Sequence, residues 1–112
     1  MVRRQAPVLT VQFDIHRNPD PASHTLAPYL LDIQTDLLDH LSTRVAVPLI
    51  RRNAMTVAER LHPIFTVEGH EVVMATADLA AIRRTDMGER VGSLAERRDD
   101  IVAAVDFLIT GI

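Results

Sequence analysis

The sequence predicts an α+β, mainly β fold: a small antiparallel barrel or sheet closed by a long C-terminal helix. Three observations carry this. Residues 93–112 hold the one long helical apolar period, with Leu94, Ile101, Val105, Leu108 and Ile112 spaced by three, four or seven and Val102 and Ile109 widening the stripe. Upstream, short apolar runs alternate with the period of a strand. Between them stand turn formers, among them Pro19, Pro21 and Gly69. A helix this apolar needs a sheet, or another chain, to cover it.

Taken in order, residues 1–10 read as a flexible N-terminal extension and 11–112 as a single domain. Residues 11–15 alternate, with Val11, Phe13 and Ile15 on one face and Gln12 and Asp14 on the other, which predicts a half-buried strand. Residues 17–24 are a loop and 28–35 a second strand; 36–43 are a loop or single turn. Residues 44–50 return to strand character, and Pro48, which has no ladder donor, predicts an edge or a bulge there. After mixed signals over 51–61, residues 62–67 and 70–75 flank Glu68 and Gly69 as a hairpin. A last short strand over 77–82 and a polar connector over 83–88 lead to the helix. There Ser93 and Glu96 fit a capping box, and Gly111 fits the residue that ends a helix. The total is about five strands.

Composition excludes several function classes. All twelve basic residues of the 112 are arginine and the net charge is -3, which argues against a nucleic-acid surface. With no cysteine, disulfides, thiolate metal sites and cysteine nucleophiles are out. No apolar run reaches membrane-spanning length and residues 1–7 lack the pattern of a signal peptide, so no membrane association is expected and the expected compartment is the cytoplasm. The histidines at 16, 24, 40, 62 and 70 have no metal-ligand spacing; His16 and His70 read as surface imidazoles at strand edges, and neither metal nor cofactor is expected. Asp32, Asp36 and Asp39 form one carboxylate cluster and Asp99, Asp100 and Asp106 another. Local hydrogen bonding and the helix dipole account for both without catalysis. No catalytic residue is assigned; a ribonuclease site would have to draw on His40, Arg44, Arg51 and Arg52. The residues alone thus point to a dimeric binding module.

Several stretches together carry a family resemblance: Gln12-Phe-Asp-Ile-His-Arg-Asn-Pro19, Tyr29-Leu-Leu-Asp-Ile-Gln-Thr-Asp-Leu-Leu-Asp39, Arg44-Val-Ala-Val-Pro-Leu49, Met74-Ala-Thr-Ala-Asp-Leu-Ala80 and the helix end from Asp99-Asp-Ile101 to Gly111-Ile112. In this order they resemble the CcdB family of toxins from toxin–antitoxin modules, from about residue 12 to the last. The resemblance implies an SH3-like barrel with an added small sheet and a long C-terminal helix. It implies a homodimer that poisons DNA gyrase by binding its A subunit and holding the DNA-cleaved state, neutralised by a partly disordered antitoxin with an acidic segment. It is not an enzyme in that picture. Carried over by position, the gyrase-facing tip comprises Phe13, Thr35, Leu37, Leu38, Asp106, Ile109, Thr110, Gly111 and Ile112. The dimer interface comprises Leu108, Gly111 and Ile112. Arg51, Arg52, Arg83 and Arg84 are charge-based candidates for the antitoxin's carboxylates.

The sequence departs from this pattern at the tip. Thr110 stands where studied members carry a tryptophan, Asp106 and Asp99 where they carry asparagine, and Val102 where they carry lysine. Threonine offers neither an aromatic platform nor its desolvated area. Two alternatives therefore stand beside the gyrase poison: an endoribonuclease toxin on the same barrel, and a protein that keeps fold and antitoxin binding without poisoning gyrase.

Overall fold

The computed structural model describes residues 9–112; residues 1–8, most of the expected extension, lie outside the described residues. Seven antiparallel strands form one curled half-barrel sheet: β1 (Asp14–Arg17), β2 (Tyr29–Asp32), β3 (Thr43–Arg51), β4 (Ile64–Val67), β5 (His70–Met74), β6 (Ala80–Arg83) and β7 (Arg90–Ser93). Among the described residues a single α-helix, α1 (Arg98–Thr110), follows. The strand order is β4-β5-β3-β2-β1-β7, with β6 branching from β3. The mainly β architecture and terminal helix are as expected, with one strand, β7, that the periodicity did not mark.

Strand alternation divides the sheet into two faces. Ile15, Leu31, Val47, Leu49, Phe65, Val72 and Met74 face inward, and Leu94, Ile101 and Ala104 close over them. The outward face carries His16, Leu30, Asp32, Ala46, Pro48 and Ile50, as the pairings Ile15↔Leu31, His16↔Leu30, Leu30↔Pro48 and Asp32↔Ala46 require.

Several local expectations need correction. The first strand begins at Asp14, not Val11. A turn precedes it, with the Asp14 amide donating to the Val11 carbonyl at 3.0 Å and Phe13 in the left-handed region at φ 71°. Val11 is consequently exposed, while Phe13 enters the core. Asp14, expected on a solvated face, is buried, with Arg90 at 3.0 Å. His16, expected at the surface, is fully buried: Nδ1 lies 2.9 Å from the Gly88 carbonyl and Nε2 2.9 Å from the Thr10 hydroxyl. Thr10 itself, read as part of the extension, is buried too.

Pro48 is neither at an edge nor at a bulge. On one side of β3, residues 43–46 pair with β6 and residues 49–51 with β5. The Pro48 carbonyl faces that side, accepting from the Ala75 amide at 3.0 Å. Its donorless nitrogen therefore falls in the gap between the two partner strands, where no ladder bond is needed. The strand missed by periodicity, β7, contains one large apolar residue, Val91, and is only half-buried.

The capping box does not form. Ser93 Oγ accepts from the Ala95 amide at 3.1 Å, a 3-10 turn spans Ala95–Arg97, and α1 starts after Arg97 without a side-chain cap. Asp99 and Asp100 still lie in its first turn, where carboxylates favour the helix dipole. At the other end Gly111 adopts φ 70° and its amide donates to the Phe107 carbonyl, as expected of a left-handed cap. The 68–69 hairpin also holds: both turn residues have positive φ (50° and 79°), the twist a two-residue connection needs.

Gly88 offers a direct test of the packing between the connector and β1. A Cβ placed there would lie 2.5 Å from the Arg17 carbonyl oxygen, a backbone atom that the β1 ladder holds. Gly88→Ala is expected to destabilise by about 1–3 kcal/mol, read as a lowered urea midpoint with an unchanged slope.

Candidate functional site

The expected site residues fall into three groups. Phe13 is 5% exposed and part of the core. Its amide donates to the Asp32 carbonyl at 2.6 Å and its carbonyl accepts from the Leu94 amide at 2.8 Å, so it joins β2 to the start of the helix segment. It is packed inward and not displayed. Thr35, Leu37 and Leu38 form the second group, on a 3-10 turn over Asp36–Leu38 that Thr35 Oγ1 caps by accepting from the Leu37 amide at 3.4 Å. Leu37 is 88% exposed, a large apolar side chain held out into solvent.

The third group is the helix end. Ile109 and Ile112 are 74% and 84% exposed, and Leu108, Asp106, Thr110 and Gly111 are also on the surface. The sheet thus covers only the first half of the α1 stripe. Thr110 turns its hydroxyl to its own helix, donating to the Asp106 carbonyl at 2.7 Å. What it presents outward is a methyl group. Arg60 stacks over the Phe107 ring, 4.5 Å from its centroid, and Arg97 over Phe65 at 4.8 Å. The helix end therefore lies beside the 58–63 segment, whereas the Leu37 turn extends from β2 beside Gln12. No hydrogen bond or ion pair among the described residues joins these two groups.

The turn that carries Leu37 is fixed by a buried polar network that the sequence reading did not single out. Arg44 and Asp32 are both fully buried on the outward side of β3 and β2, diagonal to each other across the ladder in which Asp32 pairs with Ala46. Arg44 Nε donates to Asp32 Oδ2 at 2.8 Å and its Nη2 to Asp32 Oδ1 at 3.1 Å. The same Nη2 also reaches the Gln34 carbonyl at 2.9 Å and Asp36 Oδ1 at 3.1 Å, while Nη1 approaches Asp39 at 3.4 Å. Asp36 in turn accepts from the Gln12 amide at 2.9 Å, and the Gln12 side chain donates to the Ile33 carbonyl. Thr10 donates its hydroxyl to Asp32 at 2.7 Å. Burial acts against the charge on Arg44, but hydrogen bonds and attraction from Asp32, then Asp36, outweigh it and hold its pKa above the usual arginine value. The sequence signals were the Asp32, Asp36 and Asp39 cluster and Arg44, read separately, with nothing local to join them.

This network answers two expectations. The 32–36–39 carboxylate cluster is structural, compensated by arginine. Arg44 has no exposed side-chain surface with which to hold a phosphate, so the set proposed for a ribonuclease loses its central cation. The four arginines considered for an antitoxin are also engaged within the chain. Arg51 bonds the Thr25 carbonyl, Arg52 pairs with Glu71, Arg83 with Asp86, and Arg84 with Asp39 at 2.6 Å.

With this geometry in place, the sequence pattern of the CcdB protein family matches residues 12–111, nearly the whole chain. The chain belongs to the CcdB family. Membership places it, in general terms, among toxins of the gyrase-poisoning type from toxin–antitoxin modules, which do not act by catalysis of their own. Among the described residues no helix is long and apolar enough to cross a membrane. The match starts at Gln12, so it takes in Phe13, the Leu37 turn and the helix to Gly111, and leaves Thr10 outside.

Two carboxylates give this CcdB-family fold a definite acid response. The Arg84 hydrogen bond and charge, then Arg44, hold Asp39 below the usual carboxylate range. Hydrogen bonds from Tyr29 and Arg17 do the same for Glu68. A depressed folded pKa contributes stability that is present above the unfolded value and lost as pH falls through the folded one. The urea midpoint is therefore expected to hold at neutral pH and to fall below about pH 4. Asp39→Asn and Glu68→Gln should each flatten that acid limb; an unchanged limb in both would refute the assignment.

Proposed function

We propose that this protein is the toxin of a type II toxin–antitoxin module, which as a homodimer binds the gyrase A subunit and traps the enzyme with its DNA cleaved. The observation that supports this reading best is the uncovered apolar end of α1: Leu108, Ile109 and Ile112 exposed after a half-covered stripe, on a chain of the CcdB family. Two copies meeting there would bury the three residues in an isologous contact in which each substitution acts twice. The surface beside that axis, with Asp106 and Thr110, and the Leu37 and Leu38 turn would then face gyrase. Phe13 supports the turn and the helix start from within. Inhibition of this kind needs no chemistry by the toxin. Its binding free energy favours one state of a moving enzyme over the others.

An acidic, partly disordered antitoxin that folds on contact would neutralise it. Arg52, Arg83 and Arg84 already have carboxylate partners, whereas Arg51 is bonded, among the described residues, only to the Thr25 carbonyl and keeps its charge available to the antitoxin's carboxylates. One observation favours a second reading, a relative that binds its antitoxin but no longer poisons gyrase: at Thr110 the surface offers a methyl where an aromatic ring would supply a large contact.

Cleavage assays with gyrase from the protein's own host separate the two. The poison reading expects trapped double-strand breaks from the purified protein, and at least about tenfold greater potency for Thr110→Trp if that position lies at the centre of the contact. Breaks absent with the natural protein and restored by the variant would support the second reading. The dimer is checked separately by sedimentation: Ile112→Asp is expected to give monomers at concentrations where the natural chain is dimeric, with the fold retained by circular dichroism.

A further inference from the structure

The outer face of the sheet is closed by the Arg44 network at one end and left open beside it. There a groove of about 800 Å³ runs over Leu26, Leu30, Ala46, Pro48, Ala80 and Ile82. Its floor is apolar because Leu30, Ala46, Pro48, Ala80 and Ile82 alternate on the outward side of β2, β3 and β6, with Leu26 added from the turn before β2.

One wall of the groove is a free strand edge. Among the described residues β6 pairs with β3 alone. The Arg84 amide donates to the Ser42 carbonyl, so Arg84 turns its backbone toward β3; by alternation Ile82 does the same. The neighbour of Ala81 across the ladder, Val45, turns its backbone the other way, to Ile33 and Gln34. The N–H and C=O groups of Ala81 and Arg83 therefore point outward, without a backbone partner among the described residues. These are the donors and acceptors that an added strand takes up.

The rim carries a sign. Asp20, Asp78 and Asp86 border the groove with Arg83 as the one cation. Arg83 is neutralised by Asp86 at 2.9 Å. Asp20 is bonded only to the Ala22 amide and the Ser23 hydroxyl, and Asp78 has no side-chain partner among the described residues. Two carboxylates are left uncompensated.

We propose that this groove is a docking site for an extended peptide that adds as a strand to β6, with apolar side chains at alternate positions and a lysine or arginine facing Asp78 or Asp20. The edge supplies main-chain hydrogen bonds, the floor takes every second side chain, and the rim selects positive over negative charge. An acidic segment of the kind expected for an antitoxin is the wrong sign for it. The site is thus distinct from the helix-end surface and stands or falls independently of gyrase.

The test is selection of a phage-displayed random octapeptide library on the full-length protein, with an Ala81→Pro variant as control. Proline at 81 removes an outward N–H and leaves the β3 ladder bonds of β6 in place, so the control is expected to fold, checked by urea denaturation. Enriched sequences should alternate apolar residues and contain lysine or arginine. A synthetic peptide of that sequence should bind at least tenfold more weakly to Ala81→Pro and several-fold more weakly to Asp78→Asn, an exposed position that cannot disturb the core. No enrichment above the control, predominantly acidic sequences, or equal affinity for the proline variant would overturn the proposal. So would a loss of dimer in Ala81→Pro, which would assign the edge to a second copy of the chain.

Discussion

The fold turns on the buried pair between Arg44 and Asp32. Removing two charges from water costs several kcal/mol each, so such a pair adds little net stability compared with well-packed apolar residues. What it does here is fix geometry. The guanidinium fork also takes the Gln34 carbonyl, Asp36 and Asp39, so the 36–38 turn is held at a set angle to β2. Through Asp32 the same centre holds Thr10, and through Thr10 it reaches His16, whose other nitrogen meets the Gly88 carbonyl. Five separate parts of the chain converge on one guanidinium–carboxylate contact. A slip of β2 against β3 by one residue would move both charges to opposite faces and leave each unpaired. Register is therefore set twice, by the apolar inner face and by this outer pair.

Where the sequence was legible, one local force dominated. Period-two alternation marked β3, where Val47 and Leu49 face inward between Ala46, Pro48 and Ile50, and short apolar runs around the Gly69 turn marked β4 and β5. Glycine at 69 and 111 marked a hairpin and a helix end, because both sites have φ near 70–80°. Misreadings arose where tertiary contacts override the local pattern. Val11 fits an alternating strand, yet the Gln12–Phe13 turn lifts it off the sheet. Ser93 and Glu96 satisfy a capping box on paper, yet the chain enters α1 through a 3-10 turn and Ser93 bonds two residues on. With one large apolar residue, β7 has no periodic signal; its place is decided by the unpaired side of β1.

The candidate site divides in the same way. Leu37 and Leu38 were readable as exposed because adjacent apolar residues on one turn cannot both be buried, whereas Ile109 and Ile112 belonged to a stripe that needs a cover. The role of Phe13 was not readable, since positive φ in a non-glycine residue leaves no mark in the sequence. Nor could the burial of His16 and Arg44 be read from their types, as polar residues enter an interior only when a partner on another strand compensates them. Family resemblance named these residues as one set and could not tell which of them face outward.

The place of β1 in the sheet has a consequence for synthesis. Chain residues 14–17 lie between β2 and β7, so the earliest strand keeps one side open until residues 90–93 have been made. The helix that seals the inner face comes later still. On the ribosome the intermediate is a sheet with an open edge and uncovered Leu31, Val47 and Phe65, a surface prone to self-association. Completion is then a single late event, in which β7 docks beside β1 and α1 closes over the core. A product ending before residue 94 would lack that closure and be a substrate for proteolysis. Closure of the fold thus depends on residues 90–110, which supply both β7 and α1.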